Sequence, residues 1–429
     1  MNVADSEVVV AILSEAGYSP AEEISDADLI LINTCSIRDN AEQRIWGRLK
    51  AISHLKKRNA GLKVGIIGCM AERIKEDFLE KEKLVDLVVG PDAYRGLPAL
   101  VAEAEAGHKA VNVLLSKEET YGDIAPVRLD KNGVSSFVSI MRGCNNMCAY
   151  CVVPYVRGAE RSRDPESILR EVKELYEKGY REVTLLGQNV DSFNWKNADG
   201  GIGFARLLEM AAGENPLMRI RFSTSHPKDI SDELLHTIAR HGNICKHIHL
   251  PAQSGSTRIL KLMNREYSRE YYMERITAIR TIIPDCSLST DMITGFCTES
   301  DDDHSDSLSL MEWVGFDFAY MFKYSERPGT KAARKYADDV PESIKSARLN
   351  EMIALQNRLS ARSKKADVGK IFEVLIEGTS KRSADNLSGR TSQNKVVVFP
   401  GSATEKGEYV KVLIERCTSA TLIGKRAIE

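Results

Sequence analysis

The sequence predicts an α/β chain in three parts. These are an N-terminal doubly wound parallel α/β domain, a central partial (β/α)6 barrel and a small C-terminal all-β barrel. Three observations carry this. Short apolar runs alternate with helical stretches over residues 1–107 and again over 134–330. Three cysteines sit in one loop directly after a predicted strand. From residue 368 the texture changes to short β runs between Gly, Asn and Ser turns.

The first part opens with a helix over 5–16, ended by Gly17. An apolar run at 28–33 predicts a buried strand, and 37–58 predicts a long helix of mixed charge. Further strands are expected at 63–68 and 85–89. Strands between helices imply a parallel sheet, whose sites lie beyond the carboxyl ends of the strands. Cys35 and Cys69 follow the first two strands directly, so both thiols are expected on one sheet edge. No strand precedes the first helix. The expected opening strand would end just before Met1, where a third thiol would complete a second cysteine set. Residues 108–135 read as a linker.

The second part predicts strands at 137–141, 182–186, 219–223, 247–250, 287–291 and 318–322. Helices are expected at 166–178, 205–212, 231–240, 269–283 and 302–314. Six such units fall short of the eight that close a full barrel. A helix over 344–365 ends this part. The third part carries β runs at 371–376, 395–399 and 409–414. The expected domains are therefore 1–125, 134–365 and 368–429.

Nine cysteines in 429 residues, unevenly spaced, fit a reducing compartment better than a secreted disulfide scaffold. No signal peptide and no apolar run near the roughly 20 residues of a spanning helix is seen. A cytoplasmic monomer with no membrane partner is expected. Residues 331–429 hold 19 Lys and Arg against 12 Asp and Glu, so basic charge gathers where a polyanion would be met.

The chemistry centres on Arg142-Gly143-Cys144-Asn145-Asn146-Met147-Cys148-Ala149-Tyr150-Cys151. Cubic iron–sulfur clusters are normally closed by four cysteines. The spacing C-x3-C-x2-C supplies three, which leaves one iron open to a small molecule. Structural zinc would want four Cys or His ligands, and no histidine lies near. The spacing resembles that of the radical S-adenosylmethionine (SAM) enzymes, in which SAM fills the open position. Residues ending the neighbouring strands then become candidate SAM contacts: Gln188 and Asn189, Ser223, Gln253 and Asp291, with Tyr150 from the loop itself. Arg157, Arg161 and Arg163 follow the loop as candidate phosphate contacts, with pairing to Glu160 and Asp164 as the alternative. Cys245, Cys286, Cys297 and Cys417 read as packing residues, and no histidine is assigned a catalytic role.

Longer runs extend the resemblance to nearly the whole chain. Asn33-Thr34-Cys35-Ser36-Ile37-Arg38, Gly68-Cys69-Met70-Ala71-Glu72-Arg73, Leu185-Leu186-Gly187-Gln188-Asn189-Val190 and Leu250-Pro251-Ala252-Gln253-Ser254-Gly255-Ser256 are similar to the radical-SAM methylthiotransferases. So is Tyr324-Ser325-Glu326-Arg327-Pro328-Gly329-Thr330, and the C-terminus resembles the TRAM RNA-binding domain. Asn145-Asn146 and Gly187-Gln188-Asn189-Val190 look like the branch that modifies tRNA adenosine. Gly295-Phe296-Cys297-Thr298-Glu299 departs from the family's usual Gly-Phe-Pro-Gly-Glu, so Cys297 has no assigned role.

The resemblance implies two 4Fe-4S clusters, one on Cys144, Cys148 and Cys151, the other on Cys35, Cys69 and a cysteine expected upstream of Met1. It implies that one SAM donates a methyl group to sulfur and a second yields a 5′-deoxyadenosyl radical. That radical takes hydrogen from C2 of N6-isopentenyladenosine beside the anticodon, and the methylthio group is placed there. The target base must leave its stack to react. The partners implied are the tRNA anticodon stem-loop, an electron donor and a sulfur donor. Lys381 and Arg390 join the candidate RNA contacts. Alternatives are a threonylcarbamoyl-adenosine substrate, a ribosomal-protein aspartate, or a non-enzymatic iron–sulfur sensor that binds RNA.

Overall fold

The computed structural model describes residues 1–34, 39–74, 83–130, 132–197, 200–401 and 405–427. They form two compact units. The first comprises Met1–Leu129, Met141–Met147 and Cys151–Ser167; the second comprises Asp130–Ile140, Cys148–Tyr150 and Ile168–Glu429.

In the first unit four strands lie side by side in chain order, all parallel: β1 (Leu29–Thr34), β2 (Lys63–Gly68), β3 (Leu87–Val89) and β4 (Ala110–Asn112). Their runs of Ile, Val and Leu suit strands buried on both faces. Helices α1 (Asn2–Glu15) and α4 (Leu97–Glu105) cover one face, packing Val8, Ile12, Leu97 and Val101 on Ile67, Leu87 and Val89. Helix α2 (Asp39–Arg58) covers the other, with Ile45, Leu49 and Ile52 on Val64, Ile66 and Val88. Full burial of each such side chain contributes about 1.5–3 kcal/mol. Helix α3 (Cys69–Ile74) starts on the residue after β2.

The segment expected as a linker is structured. It holds β4, and Tyr121 stacks on Tyr94 with ring centroids 5.7 Å apart. Arg128 bonds the buried Glu7 at 2.8 Å. A three-residue strand is too short to show a period, so only its pairing with β3 reveals it.

The second unit contains six parallel strands in chain order: β5 (Ser135–Ser139), β6 (Glu182–Leu186), β7 (Arg219–Ser223), β8 (His247–His249), β9 (Ser287–Thr294) and β10 (Phe318–Lys323). They form two three-stranded sheets joined by a parallel bridge from Ile220 to Ile244. Ser225 N–H donates to the His249 carbonyl at 3.1 Å across the same seam. Among the described residues no pairing closes β10 onto β5, so the barrel is partial, as expected. Every strand ends on the same edge.

Five antiparallel and parallel strands then close a barrel: β11 (Ile371–Ser380), β12 (Ser383–Thr391), β13 (Val396–Pro400), β14 (Tyr409–Cys417) and β15 (Leu422–Arg426), in the order β11-β12-β13-β15-β14. Alternate residues Val374, Ile376, Val397, Phe399, Val412 and Ile414 fill it. The sequence expectation lacked β15 and also β12, whose Ser-Ala-Asp-Asn-Leu-Ser-Gly-Arg-Thr run is too polar to read as a strand. The barrel is built into the second unit and does not stand alone. Arg219 donates to the Arg390 carbonyl (2.9 Å) and Arg221 to the Thr391 carbonyl (2.7 Å), while the Tyr409 hydroxyl donates to the Arg181 carbonyl (2.9 Å). Among the described residues no helix is long and apolar enough to cross a membrane.

Candidate functional site

The cysteine loop leaves the carboxyl end of β5 and requires a glycine first. Gly143 has φ +73°, and a Cβ there would lie 2.0 Å from the Ala159 carbonyl oxygen. Cys144 N–H then donates to the Gly158 carbonyl at 3.2 Å. Val153 N–H points at Cys151 Sγ at 3.4 Å. Both contacts lie in the first unit, to which Cys144 and Cys151 belong.

Cys148 belongs to the second unit. Its neighbour Ala149 is pinned there twice: its N–H donates to the Met263 carbonyl (2.8 Å), and its carbonyl accepts from Ala332 N–H (2.7 Å). Arg265 donates through Nη1 to Cys148 Sγ at 3.4 Å. Its other nitrogens are held by the Pro251 carbonyl (2.9 Å) and the Tyr267 hydroxyl (3.1 Å). Burial opposes the charge of Arg265, yet Tyr267, Tyr150 and Cys148 keep it firmly protonated. The donor set fits a cluster. Cys144 and Cys148 are buried thiols, Cys151 is partly exposed, and N–H groups face two of the sulfurs. Sulfur in its anionic form accepts hydrogen bonds of this kind, which tune a cluster. A cube takes each thiolate on a different iron.

In the first unit the two strands expected to carry thiols are in register, Thr34 opposite Gly68. Cys69 follows Gly68 and is buried. Cys35 lies outside the described residues. Arg157, at the end of helix α5 (Val153–Arg157), donates through Nε to Cys69 Sγ at 3.1 Å. Its Nη2 donates to Asp5 at 2.6 Å, and Arg142 reaches the other oxygen of Asp5 at 2.9 Å. Burial disfavours the Asp5 carboxylate, but the charges of Arg157 and Arg142 prevail and hold its pKa down at about 2. Asp92 bonds Arg161 at 3.0 Å and lies 3.4 Å from Arg142.

This network corrects the expectation that Arg157, Arg161 and Arg163 grip phosphates: Arg157 pairs with Asp5 and Arg161 with Asp92. All three are buried. Arg163 is spent on the Ser167 hydroxyl (2.8 Å) and carbonyl (3.1 Å). A guanidinium withdrawn from water and already bonded to protein cannot reach a solvated phosphate. Of the other RNA candidates, Lys381 is exposed, while Arg390 is half-buried and pairs with Glu377 at 2.9 Å.

The candidate SAM contacts lie in the second unit, Gln188, Asn189, Ser223 and Gln253 at or just past the carboxyl ends of its strands; Asp291, expected to end its strand, lies inside β9, which runs on to Thr294. Asn189 donates to Asp229 at 2.6 Å, and its buried Oδ1 has no partner. Ser223 ends β7 and meets the Thr224 hydroxyl at 3.4 Å. Gln253 bridges to Met292 with a left-handed backbone, φ +67°. Asp291 lies 3.6 Å from His249. Tyr150 packs beside Ala149, Phe296 and Cys297, and Gln188 is half-buried. Cys297 and Cys245 are buried, and burial raises the Cys245 thiol to about 11, far from a reactive thiolate.

Sequence reasoning passed over Asp5, Arg142, Arg265 and Asp191. Arg142 had a visible signal, its place beside Gly143 and Cys144, and Asp191 closes the polar run that follows β6. Asp191 lies deep at the strand ends yet keeps partial access to solvent. Burial raises its pKa to about 7 against the hydrogen bonds from the Ser225 hydroxyl (3.0 Å) and His226 N–H (3.2 Å); Asp229 adds to the rise. Folding thus favours its protonated form. The cost of ionising it grows as pH rises from the unfolded value near 3.8 to about 7 and is constant above. Asp191→Asn is expected to gain on the order of 1 kcal/mol over the native protein at pH 8 and nothing at pH 4. Paired melting curves at the two pH values measure this; equal differences at both would refute it.

Residues 138–311 match the Radical SAM superfamily, residues 1–90 match Uncharacterized protein family UPF0004, and residues 365–426 match the TRAM domain. The chain is 58% identical over 437 residues to a tRNA-2-methylthio-N(6)-dimethylallyladenosine synthase of Amoebophilus asiaticus, covering 99% of this chain and 90% of that protein. A protein of the same name from Bacteroides thetaiotaomicron is 59% identical over 426 residues, 99% of this chain and 93% of that one. Among solved structures, the radical S-adenosylmethionine methyltransferase TsrM of Kitasatospora setae aligns with a TM-score of 0.59. It is 13% identical and covers 77% of this chain and 73% of its own. At that identity only the fold is shared.

Proposed function

Because the chain belongs to the tRNA-2-methylthio-N(6)-dimethylallyladenosine synthase family, we propose that its parts serve one reaction at C2 of N6-isopentenyladenosine beside the anticodon. The protein is a radical-SAM tRNA methylthiotransferase. In the proposed arrangement Cys144, Cys148 and Cys151 hold one 4Fe-4S cluster, and Cys35 and Cys69 help to hold a second. When bound, the first supplies the electron that splits SAM and the second holds the sulfur that is methylated.

The chain's own residues do the rest. Gly143 lets the loop turn tightly off β5, and Arg265 fixes Cys148 while adding a positive charge beside its sulfur. Tyr150, Gln188, Asn189, Ser223, Gln253 and Asp291 bind SAM. Near neutral pH Asp191 still carries its proton in part, so it donates as well as accepts at the strand ends. The C-terminal barrel binds tRNA phosphates, with Lys381 exposed for that purpose and Arg390 shaping the adjoining turn through Glu377. The enzyme acts in the cytoplasm as a monomer, with external electron and sulfur donors.

The observation that carries this reading is the three-cysteine loop at the end of β5 in a chain with full-length relatives of one name. Nucleoside mass spectrometry of tRNA from a strain lacking the gene tests it. Isopentenyladenosine should accumulate without its methylthio group, and the gene should restore it. Loss of methylthio from threonylcarbamoyl-adenosine instead, or from a ribosomal protein, would assign a different substrate. Unaltered RNA and protein would leave a sensor.

A further inference from the structure

Resting on the reading that Cys69 ligates an N-terminal 4Fe-4S cluster, we infer that Arg157 is the positioning residue of that cluster: it holds the Cys69 sulfur and sets a fixed positive charge against it, which raises the cluster's reduction potential.

The contacts all lie within the first unit. Arg157 is 2% exposed and sits where α5 ends at Gly158, whose φ of +69° turns the chain away. Val152 and Val156 from the same turn pack on Cys69, so the sulfur has an apolar wall and accepts from Arg157 Nε at 3.1 Å. The guanidinium is locked from the far side. Its Nη2 bonds Asp5 at 2.6 Å, and Asp5 is itself fixed by Arg142. Asp5 stands 152 residues away in sequence, so the fold has assembled this clamp from distant segments.

The charges in this chain of contacts do not balance. Arg142, Arg157 and Arg161 share Asp5 and Asp92, three guanidiniums on two carboxylates. Arg157 Nη1 is buried and has no hydrogen-bond partner. A buried charge without its counterpart is costly. An anionic sulfur ligand set at Cys69 supplies the missing negative charge. Hydrogen bonds to sulfur, net charge and exclusion of solvent are the levers that set a cluster's potential, and Arg157 works all three. Lysine could not replace it fully, since only the planar fork reaches Cys69 and Asp5 together.

The test uses the natural full-length protein with Cys144, Cys148 and Cys151 changed to Ala, so that only the N-terminal cluster remains. Arg157→Met and Arg157→Lys are introduced into it, and each protein is reconstituted anaerobically. The readouts are bound iron and the midpoint potential by titration followed by electron paramagnetic resonance. Arg157→Met should shift the one-electron equilibrium at least tenfold toward the oxidised state, about 59 mV more negative. Arg157→Lys should shift it less, because the charge is kept. A Met variant that loads normally with unchanged potential overturns the inference. If the Met variant fails to load while the Lys variant loads, the holding role stands. If neither loads and both keep native melting and circular dichroism, it also stands; if both lose their fold, Arg157 is a structural residue only and the inference fails. The underlying reading fails separately, if the Arg157 background takes up no cluster or if Cys69→Ala in that background keeps it.

Discussion

Cys148→Ala protein is expected to form no detectable 5′-deoxyadenosine from SAM under strong reduction. The reason is local. Three thiolates already leave one iron open, and two leave the cube without a stable seat. The Cys148 sulfur also meets a buried guanidinium, Arg265 at 3.4 Å. Alanine removes a ligand but disturbs little else, because Ala149 remains fixed by the Met263 carbonyl and by Ala332 N–H. The N-terminal site should still load iron. Chromatography of the SAM products measures the loss. Turnover within tenfold of the native protein would remove Cys148 from the cluster.

Cys69→Ala is expected to separate the two halves of the reaction. SAM cleavage should persist, within a few-fold of native. Methylthiolated nucleoside should fall below detection. Cys69 lies at the carboxyl edge of the first unit's sheet, at the level where Thr34 faces Gly68. The variant places Ala beside Arg157 Nε, which then loses its acceptor and stays buried. That costs about 1–3 kcal/mol, so a modest drop in melting temperature should accompany the loss. Mass spectrometry of tRNA nucleosides after single turnover measures the product. Product at native yield would exclude Cys69 from the sulfur site. The same variant measured for iron should lose about half of it, which distinguishes a missing cluster from a misplaced one.

Much of the architecture was legible because burial leaves a pattern. Strands β1 and β2 hold the apolar runs Leu29–Ile32 and Val64–Ile67, and six short strand-like segments separated by helices announce the partial barrel. Cys144, Cys148 and Cys151 were legible for a different reason: their ligand geometry is local, set by spacing within one loop. Short or polar elements escaped. β4 has three residues, and β12 is polar, so each exists through its neighbour's hydrogen bonds and not through its own composition.

The arginines after the loop divide most clearly between what the sequence determines and what the fold decides. A run of Arg157, Arg161 and Arg163 near a reactive loop reads as a phosphate grip. The carboxylates that claim two of them, Asp5 and Asp92, stand 152 and 69 residues away, and no local pattern announces such a partner. From the sequence alone came most of the strands, the cysteine spacing and hence the chemistry, since each depends on residues close in the chain. Only the tertiary structure decided which charges are buried and what they face. Desolvation and Coulomb energy depend on distance in space, and the chain brings these residues together only when it folds.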